Sequence, residues 1–306
     1  MKKRALSLLM AFVMVLSLLP VTARAAEPKE ITDAAGFAGM TASESYILTK
    51  DIEVSTPYAG EFTGTFDGNG HKITLNISST SHNTGLFSKI GQNGTVKNVI
   101  TAGSVTGNYY VGGIAGVCEG TILNCGNTAA VTGKQRFGGI AGHLGSSSAA
   151  ATVENCFNTG TITPVDTTAK WAGGIAGYVQ NGESSVKNTL SCGNVSAKKQ
   201  PGALVGNCQG KLSNSWWQSG VTPDKAAGYL AAENGTGNKP YTDLQTAVDA
   251  LNHTRGNNAE WTVKDGAPTL NLVQKGGAST DPTIEIKPSE TTIYVETGYK
   301  FVNEAT

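Results

Sequence analysis

The sequence predicts an all-β chain wound as a right-handed parallel β-helix of about five coils, with small helical caps and the start of an immunoglobulin-like β-sandwich behind it. Three observations predict the solenoid. One phrase recurs: Val-Gly-Gly-Ile-Ala-Gly at 111–116, Phe-Gly-Gly-Ile-Ala-Gly at 137–142 and Ala-Gly-Gly-Ile-Ala-Gly at 172–177, with weaker copies at 201–206 and 85–88. An apolar lead two residues before an asparagine accompanies each copy: Val96 and Asn98, Ile122 and Asn124, Val153 and Asn155, Val186 and Asn188, Leu212 and Asn214. Nine residues after each lead stands another apolar residue: Val105, Val131, Ile162, Val195 and Val221.

The leads are 26, 31, 33 and 26 residues apart. A strand of about five or six residues is typical, so three strands and three turns use up one such unit. No unit can bury its apolar side alone, and stacking the units makes one continuous core. The Leu-x-x-Leu-x-Leu frame of leucine-rich repeats is absent, and 39 glycines in 306 residues exclude helical repeats. A parallel β-helix remains, and parallel crossovers are right-handed almost without exception. Length varies at 145–150, at 181–184 and at 164–170, where small, polar or proline-containing stretches read as loops bulging from a regular body.

Stacking turns the repeats into columns. Ile114, Ile140, Ile175 and Leu204 point inward, as do Cys118, Leu144, Val179 and Cys208; Val117, His143, Tyr178 and Asn207 between them point outward. Ala115, Ala141, Ala176 and Val205 have outward parity yet stay small, as a bend at the glycine pair would require. Asn98, Asn124, Asn155, Asn188 and Asn214 form a structural column. Their amides can hydrogen-bond along the axis. Each asparagine can also serve simply as the left-handed residue of its turn.

Gly-Gly-Ile-Ala-Gly followed by Val-x-Asn and Gly-x-Val resembles the GLUG-motif repeats of bacterial surface proteins, which also occur beside immunoglobulin A-specific metallopeptidase domains. The resemblance covers roughly residues 44–272 and includes Phe-Thr-Gly-Thr-Phe-Asp-Gly-Asn-Gly-His at 62–71, similar to the segment that opens such regions. It implies a surface-exposed solenoid and no chemistry. The peptidase activity lies in another domain with a His-Glu-x-x-His motif, and none of His71, His82, His143 and His253 is followed by Glu.

Taken in order, the chain opens on Met-Lys-Lys-Arg, an apolar run at 5–19, a proline and Ala-Arg-Ala at 23–25, which together predict a signal peptide over 1–25. Residues 26–84 read as an N-terminal cap and first coil, with Thr32 and Asp33 capping a short helix through Met40. Asp-Gly-Asn-Gly at 67–70 is a tight turn with too few acidic ligands for a calcium loop. Residues 85–225 hold the repeats. In 226–275, Leu244, Val248 and Leu251 at helical spacing, then strand-like 261–263 and 268–272, predict a C-terminal cap over the open end, burying at least one of Trp216 and Trp217. Residues 276–306 read as a linker and two strands of a truncated immunoglobulin-like domain, as in a fragment of a longer protein.

Charge and chemistry narrow the function. Lys+Arg and Asp+Glu both number 23, without a basic stripe, so nucleic acid is not an expected partner. No membrane span follows the signal peptide, and no cofactor or metal spacing is present. The carboxylates Glu119, Glu154, Asp166 and Glu183 fall in different columns or in inserts. A glycosidase needs two within about 5–10 Å. Glu154 and Lys187 share an outward column, as a surface ion pair would. Cys118 and Cys208 lie about 14 Å apart, too far for a disulfide, whereas Cys125 and Cys156 lie side by side and are expected as thiols. These features point to a non-catalytic secreted or cell-surface module, an adhesin or stalk. The alternatives are a carbohydrate-binding module and, with less support, a polysaccharide-degrading β-helix enzyme.

One surface is a candidate ligand site, for a glycan or another host or cell-surface ligand. Tyr110, Arg136, Trp171 and Gln200 precede successive Gly-Gly phrases and share an outward column, with Arg136 between two aromatic rings. Such a column is either a self-satisfied ladder or a platform on which a pyranose ring stacks on Trp171.

Overall fold

The computed structural model describes residues 27–231 and 235–272, with the backbone of 292–294 and 300–302. Every strand pairing in the body is parallel, and each strand pairs with the equivalent strand of the neighbouring coil. One nine-stranded sheet, here sheet 1, takes the lead residues in register: Phe66, Val96, Ile122, Val153, Val186 and Leu212 follow one another. Sheet 2 carries the second apolar column, where Val105, Val131 and Ile162 are in register. Val195 joins through a single bridge, and Val221 lies half-exposed outside any strand. Sheet 3, seven-stranded, runs through Phe87–Ile90, Ala115–Cys118, Ala141–Leu144, Ala176–Val179 and Val205–Cys208. Between sheets 2 and 3 lies a short three-stranded sheet of Tyr109–Gly112, Gln135–Gly138 and Lys170–Gly173.

A coil therefore holds more and shorter strands than the three expected. The coil from Thr121 has Thr121–Leu123, Gly126–Asn127, Ala130–Gly133, Gln135–Gly138 and Ala141–Leu144. Asn124 and Arg136, at φ 52° and 57°, bend the chain at two corners. Asn127 interrupts sheet 2 because its side chain turns inward and takes over backbone partners, donating to the Ala129 carbonyl at 2.9 Å.

The interior is apolar and closed. Ile114, Ile140, Ile175, Leu204 and the lead residues are fully buried. The small column Ala115, Ala141, Ala176 and Val205 is buried too, although parity placed it outside. A Cβ on Gly112 would lie 2.8 Å from the Ala141 Cα, and one on Gly138 2.7 Å from the Ala176 Cα. The next coil thus occupies the space that a side chain would need. The second glycine of each pair faces a different neighbour: a Cβ on Gly113 would lie 2.2 Å from Asn127 Oδ1, and one on Gly139 2.3 Å from Asn158 Oδ1.

At the N-terminal end, the helix Ala34–Ala38 is capped by Asp33, whose carboxylate accepts the Gly36 N–H at 2.8 Å. Its Phe37 plugs the hollow, with ring centroids 5.6 Å from Phe87 and 5.8 Å from Phe66. The segment 27–84 is more than a cap and one coil. Lys29–Ile31, Ser45–Leu48 and Thr65–Asp67 all extend sheet 1, so the ladder runs past the five copies read from the sequence.

The C-terminal segment departs most from expectation. The strands Ala227–Leu230, Gly235–Thr236 and Lys239–Tyr241 continue the three sheets as a further coil. The helix Leu244–Thr254, capped by Asp243, and the antiparallel hairpin of Glu260–Lys264 and Ala267–Asn271 do not lie over the open end. They pack sideways on sheet 2, where Val248, Leu251, Trp261 and Leu270 cluster with Phe157 and Leu190, against half-buried Ile100 and Trp216. Phe157, Leu190 and Trp216 form an outward apolar column that would otherwise face water. Trp217 is buried in the solenoid itself rather than beneath a cap.

All five cysteines are free; Cys125 and Cys156 are adjacent, with the Cys125 N–H donating to Cys156 Sγ at 3.3 Å. Burial pushes the Cys118 thiol up to about 12 and that of Cys208 to about 11. Among the described residues, no helix is long and apolar enough to cross a membrane. Beyond the flank, Thr292–Tyr294 and Lys300–Val302 form an antiparallel pair. The expected signal peptide and the strand expected at 283–288 lie outside the described residues.

Candidate functional site

A bend within the strands of the short sheet positions the candidate strip. Asn83, Tyr110, Arg136, Trp171 and Gln200 all have left-handed backbone, with φ between 52° and 63°. Side chains with a Cβ pay about 1–2 kcal/mol there, and asparagine tolerates it best. The opposite corner follows that rule throughout, with Asn98, Asn124, Asn155, Asn188 and Asn214 at φ 47–55°. The strip corner uses asparagine once and then places a tyrosine, an arginine, a tryptophan and a glutamine.

Arg136 lies between Tyr110 and Trp171, with its guanidinium carbon 5.1 Å and 5.2 Å from their ring centroids. Two residues of the neighbouring outward column, not counted in the strip from sequence, complete the arrangement. Tyr178 is nearer still, 4.6 Å from the guanidinium carbon, and its ring lies 5.5 Å from that of Trp171. His143 takes a hydrogen bond from Arg136 Nη1 on Nδ1 at 2.9 Å and gives one from Nε2 to Gln180 Oε1 at 3.0 Å. Its ring stands edge-on to Tyr110 and to Tyr178, 5.3 Å from each. The Trp171 indole N–H donates to Gln200 Oε1. Parity alone showed these columns as parallel strips. The bend at the glycine pair brings them into contact.

The partners fix the protonation of His143. Nδ1 accepts and Nε2 donates, so the ring is neutral. Burial first, and then the Arg136 charge, push it down to about 4, against the pull of the Gln180 bond. The Arg136 Nε is buried without a hydrogen-bond partner among the described residues.

The asparagine column does both things open to it. Beyond its left-handed backbone, Asn124 donates to Asn98 Oδ1 at 3.3 Å and Asn155 to Asn124 at 2.8 Å, and the amides of Asn188 and Asn155 meet at 2.7 Å. Asp67 heads the ladder, accepting from Asn98 Nδ2 at 2.9 Å. Asn214 keeps the backbone but its side chain is exposed, and among the described residues no bond joins it to Asn188. The ladder also seats the flank. The Ala259 N–H donates to Asn124 Oδ1 at 3.1 Å, Asn155 Nδ2 to the Ala259 carbonyl at 2.9 Å and the Trp261 indole to Asn155 Oδ1 at 2.5 Å.

A second polar ladder, buried inside, escaped the sequence reading. Thr101 donates to Asn127 Oδ1 at 2.9 Å, and Asn127 Nδ2 to Asn158 Oδ1 at 2.8 Å. The signal was present in Asn-Cys-Gly-Asn at 124–127 and Asn-Cys-Phe-Asn at 155–158.

The carboxylates of the coils are used between coils. Glu154 binds Lys187 at 3.0 Å, Lys89 bridges Glu61 and Glu119 at 3.3 Å and 3.1 Å, and Lys97 meets Asp67 at 3.3 Å.

Residues 134–163 match the family model of the GLUG motif. The match falls on the coil that carries Phe-Gly-Gly-Ile-Ala-Gly, so the resemblance drawn from that phrase holds. Among solved structures, the chain is similar to "a putative immunoglobulin A1 protease from Bacteroides ovatus", at 20% identity and a TM-score of 0.55, over 80% of this chain and 93% of that one. At that identity the likeness concerns the fold. No curated protein matches the chain.

Proposed function

We propose that the chain is an exported, non-catalytic β-helix module of a bacterial surface protein, serving as a stalk or adhesin segment. The observation that carries this reading is the use of the repeats' polar groups for stacking. Acids pair with lysines of the next coil, and asparagines bond to asparagines. A catalytic β-helix would instead gather its carboxylates around one bond. The same reading takes the winding as right-handed, by the crossover rule, and 283–306 as the opening of an immunoglobulin-like sandwich. The test has two arms. Antibodies raised against residues 27–272 should label intact source cells, and the purified segment should release no reducing sugar from polysaccharides. Labelling only after lysis, or sugar release, contradicts it.

A second reading, a carbohydrate-binding module, is favoured by the strip corner. Four bulky side chains stand in succession where asparagine costs less, and backbone strain of that kind clusters at binding sites. On this reading Trp171 offers a ring face to a pyranose, with Tyr110 and Arg136 beside it. A glycan array with the parent and with Trp171→Ala and Arg136→Ala decides it. Loss of retention at an unchanged melting temperature supports the platform, and retention by both variants removes it.

A further inference from the structure

We infer that the cleft beside Trp171 binds an acidic glycan, through Lys170, Lys198 and Lys199, which recognise its sulfate or carboxylate groups. The cleft has a volume of about 440 Å³ and is lined by Lys134, Lys170, Lys198, Lys199, Thr167 and Thr168. That size lies within the range of small-ligand sites. Composition does not account for the lysines, since positive and negative residues balance at 23 each across the chain.

The lysines converge from successive coils. Gln135, Lys170 and Lys199 occupy one register position, so two ammonium-bearing chains stand side by side on adjacent rungs. Like charges directly opposite each other destabilise a sheet. A bound anion removes that cost. The carboxylate beside the lining residues is already engaged: Asp166 binds Lys134 at 3.0 Å and accepts both the N–H and the hydroxyl of Thr168 at 2.7 Å. The Thr168 bonds first, then Lys134, hold its carboxyl down to about 2. Lys198 and Lys199 are exposed and, among the described residues, form no ion pair.

One coil also supplies a built part of the cleft. The insertion at 164–170, which lengthens this repeat relative to its neighbours, supplies Thr167, Thr168 and Lys170. Insertions on a rigid scaffold are where binding residues concentrate. Trp171 follows directly, and Lys170 Nζ lies 4.4 Å from its ring centroid. A sugar acid is the ligand that uses both halves, presenting an apolar ring face to the indole and an anion to the ammonium groups. A compact cleft suits a short oligosaccharide segment, whereas nucleic acid is tracked by an extended basic stripe.

This inference rests on the glycan reading of the strip for its aromatic half and on the lysines alone for its charge selectivity. The experiment titrates the purified chain with a sulfated tetrasaccharide, a uronate tetrasaccharide without sulfate, a neutral oligosaccharide and a single-stranded DNA of equal charge. The parent should bind at least one of the two acidic sugars, more weakly as salt rises from about 50 to about 300 mM. The sulfate and uronate arms identify which anion is recognised. Lys198→Gln with Lys199→Gln should weaken that binding at least tenfold with a melting temperature no lower than the parent's. No binding of either acidic sugar, binding unchanged in the double variant, or equally tight binding of the DNA overturns the inference. A neutral glycan lost in Trp171→Ala, with neither acidic sugar weakened in the double variant, sustains the strip reading while overturning this one.

Discussion

His143 shows how one residue's surroundings decide its chemistry. Its outward parity suggested a solvated side chain, yet it is 8% exposed and held neutral between Arg136 and Gln180. The unfolded chain takes up a proton near the ordinary value of about 6.5, and the folded one only near 4. Between those limits the unfolded state binds more protons, so stability falls as the pH is lowered and is fully present above about 6.5. Denaturant unfolding at pH 7.5 and pH 5 should differ by on the order of 2 kcal/mol more in the parent than in His143→Gln. Equal pH dependence in the two proteins would refute the buried neutral imidazole. The inward columns test packing at the same scale. Ile140 is fully buried, and Ile140→Asp places an unpaired carboxylate in the core, which should cost several kcal/mol in the same unfolding measurement. A variant as stable as the parent contradicts the column.

At the scale of elements, the asparagine corner does three jobs: it bends the chain, ties coil to coil and seats the flank. Asn155→Gly separates them, because glycine keeps the left-handed bend and loses the side-chain bonds to Asn124, Ala259 and Trp261. The variant should keep its β-rich circular dichroism and lose about 2–4 kcal/mol, with the helix Leu244–Thr254 becoming the first site of proteolysis. Unchanged protease resistance there would show that apolar packing alone holds the flank. The corner asparagines and their spacing were legible because they recur in every copy. The lateral seat of the helix was not, since an amphipathic helix buries the same face over an open end or along a sheet. The clue was the apolar outward column of Phe157, Leu190 and Trp216, which a closed solenoid cannot leave in water. The inner ladder of Asn127 and Asn158 was missed because strand alternation gives no reason to expect amides inside a core. The contact of His143 and Tyr178 with Arg136 depends on a corner angle that spacing does not encode.

At the scale of the whole molecule, the repeat foretold a parallel stack but understated its extent. The segments before Val96 lack the Gly-Gly-Ile-Ala-Gly phrase, and yet Tyr46 and Phe66 continue the lead column in register. Burial of one apolar residue per rung maintains the stack there, with an aromatic cluster around Phe37 and Phe87 in place of the small-residue phrase. The central claim is that one in-register ladder joins these segments to the repeats. Ser45, Thr65, Thr95, Thr121, Thr152, Ser185 and Lys211 form one column, six rungs from end to end. At about 4.8 Å per rung its ends lie about 29 Å apart. Spin labels at Ser45→Cys and Lys211→Cys, with half-exposed Cys192 replaced by serine and the four buried thiols left in place, measure that distance by pulsed dipolar spectroscopy. A single narrow distribution near about 29 Å, widened by the label arms, is the expected result. A broad distribution, or a distance beyond about 40 Å, would contradict the continuous ladder.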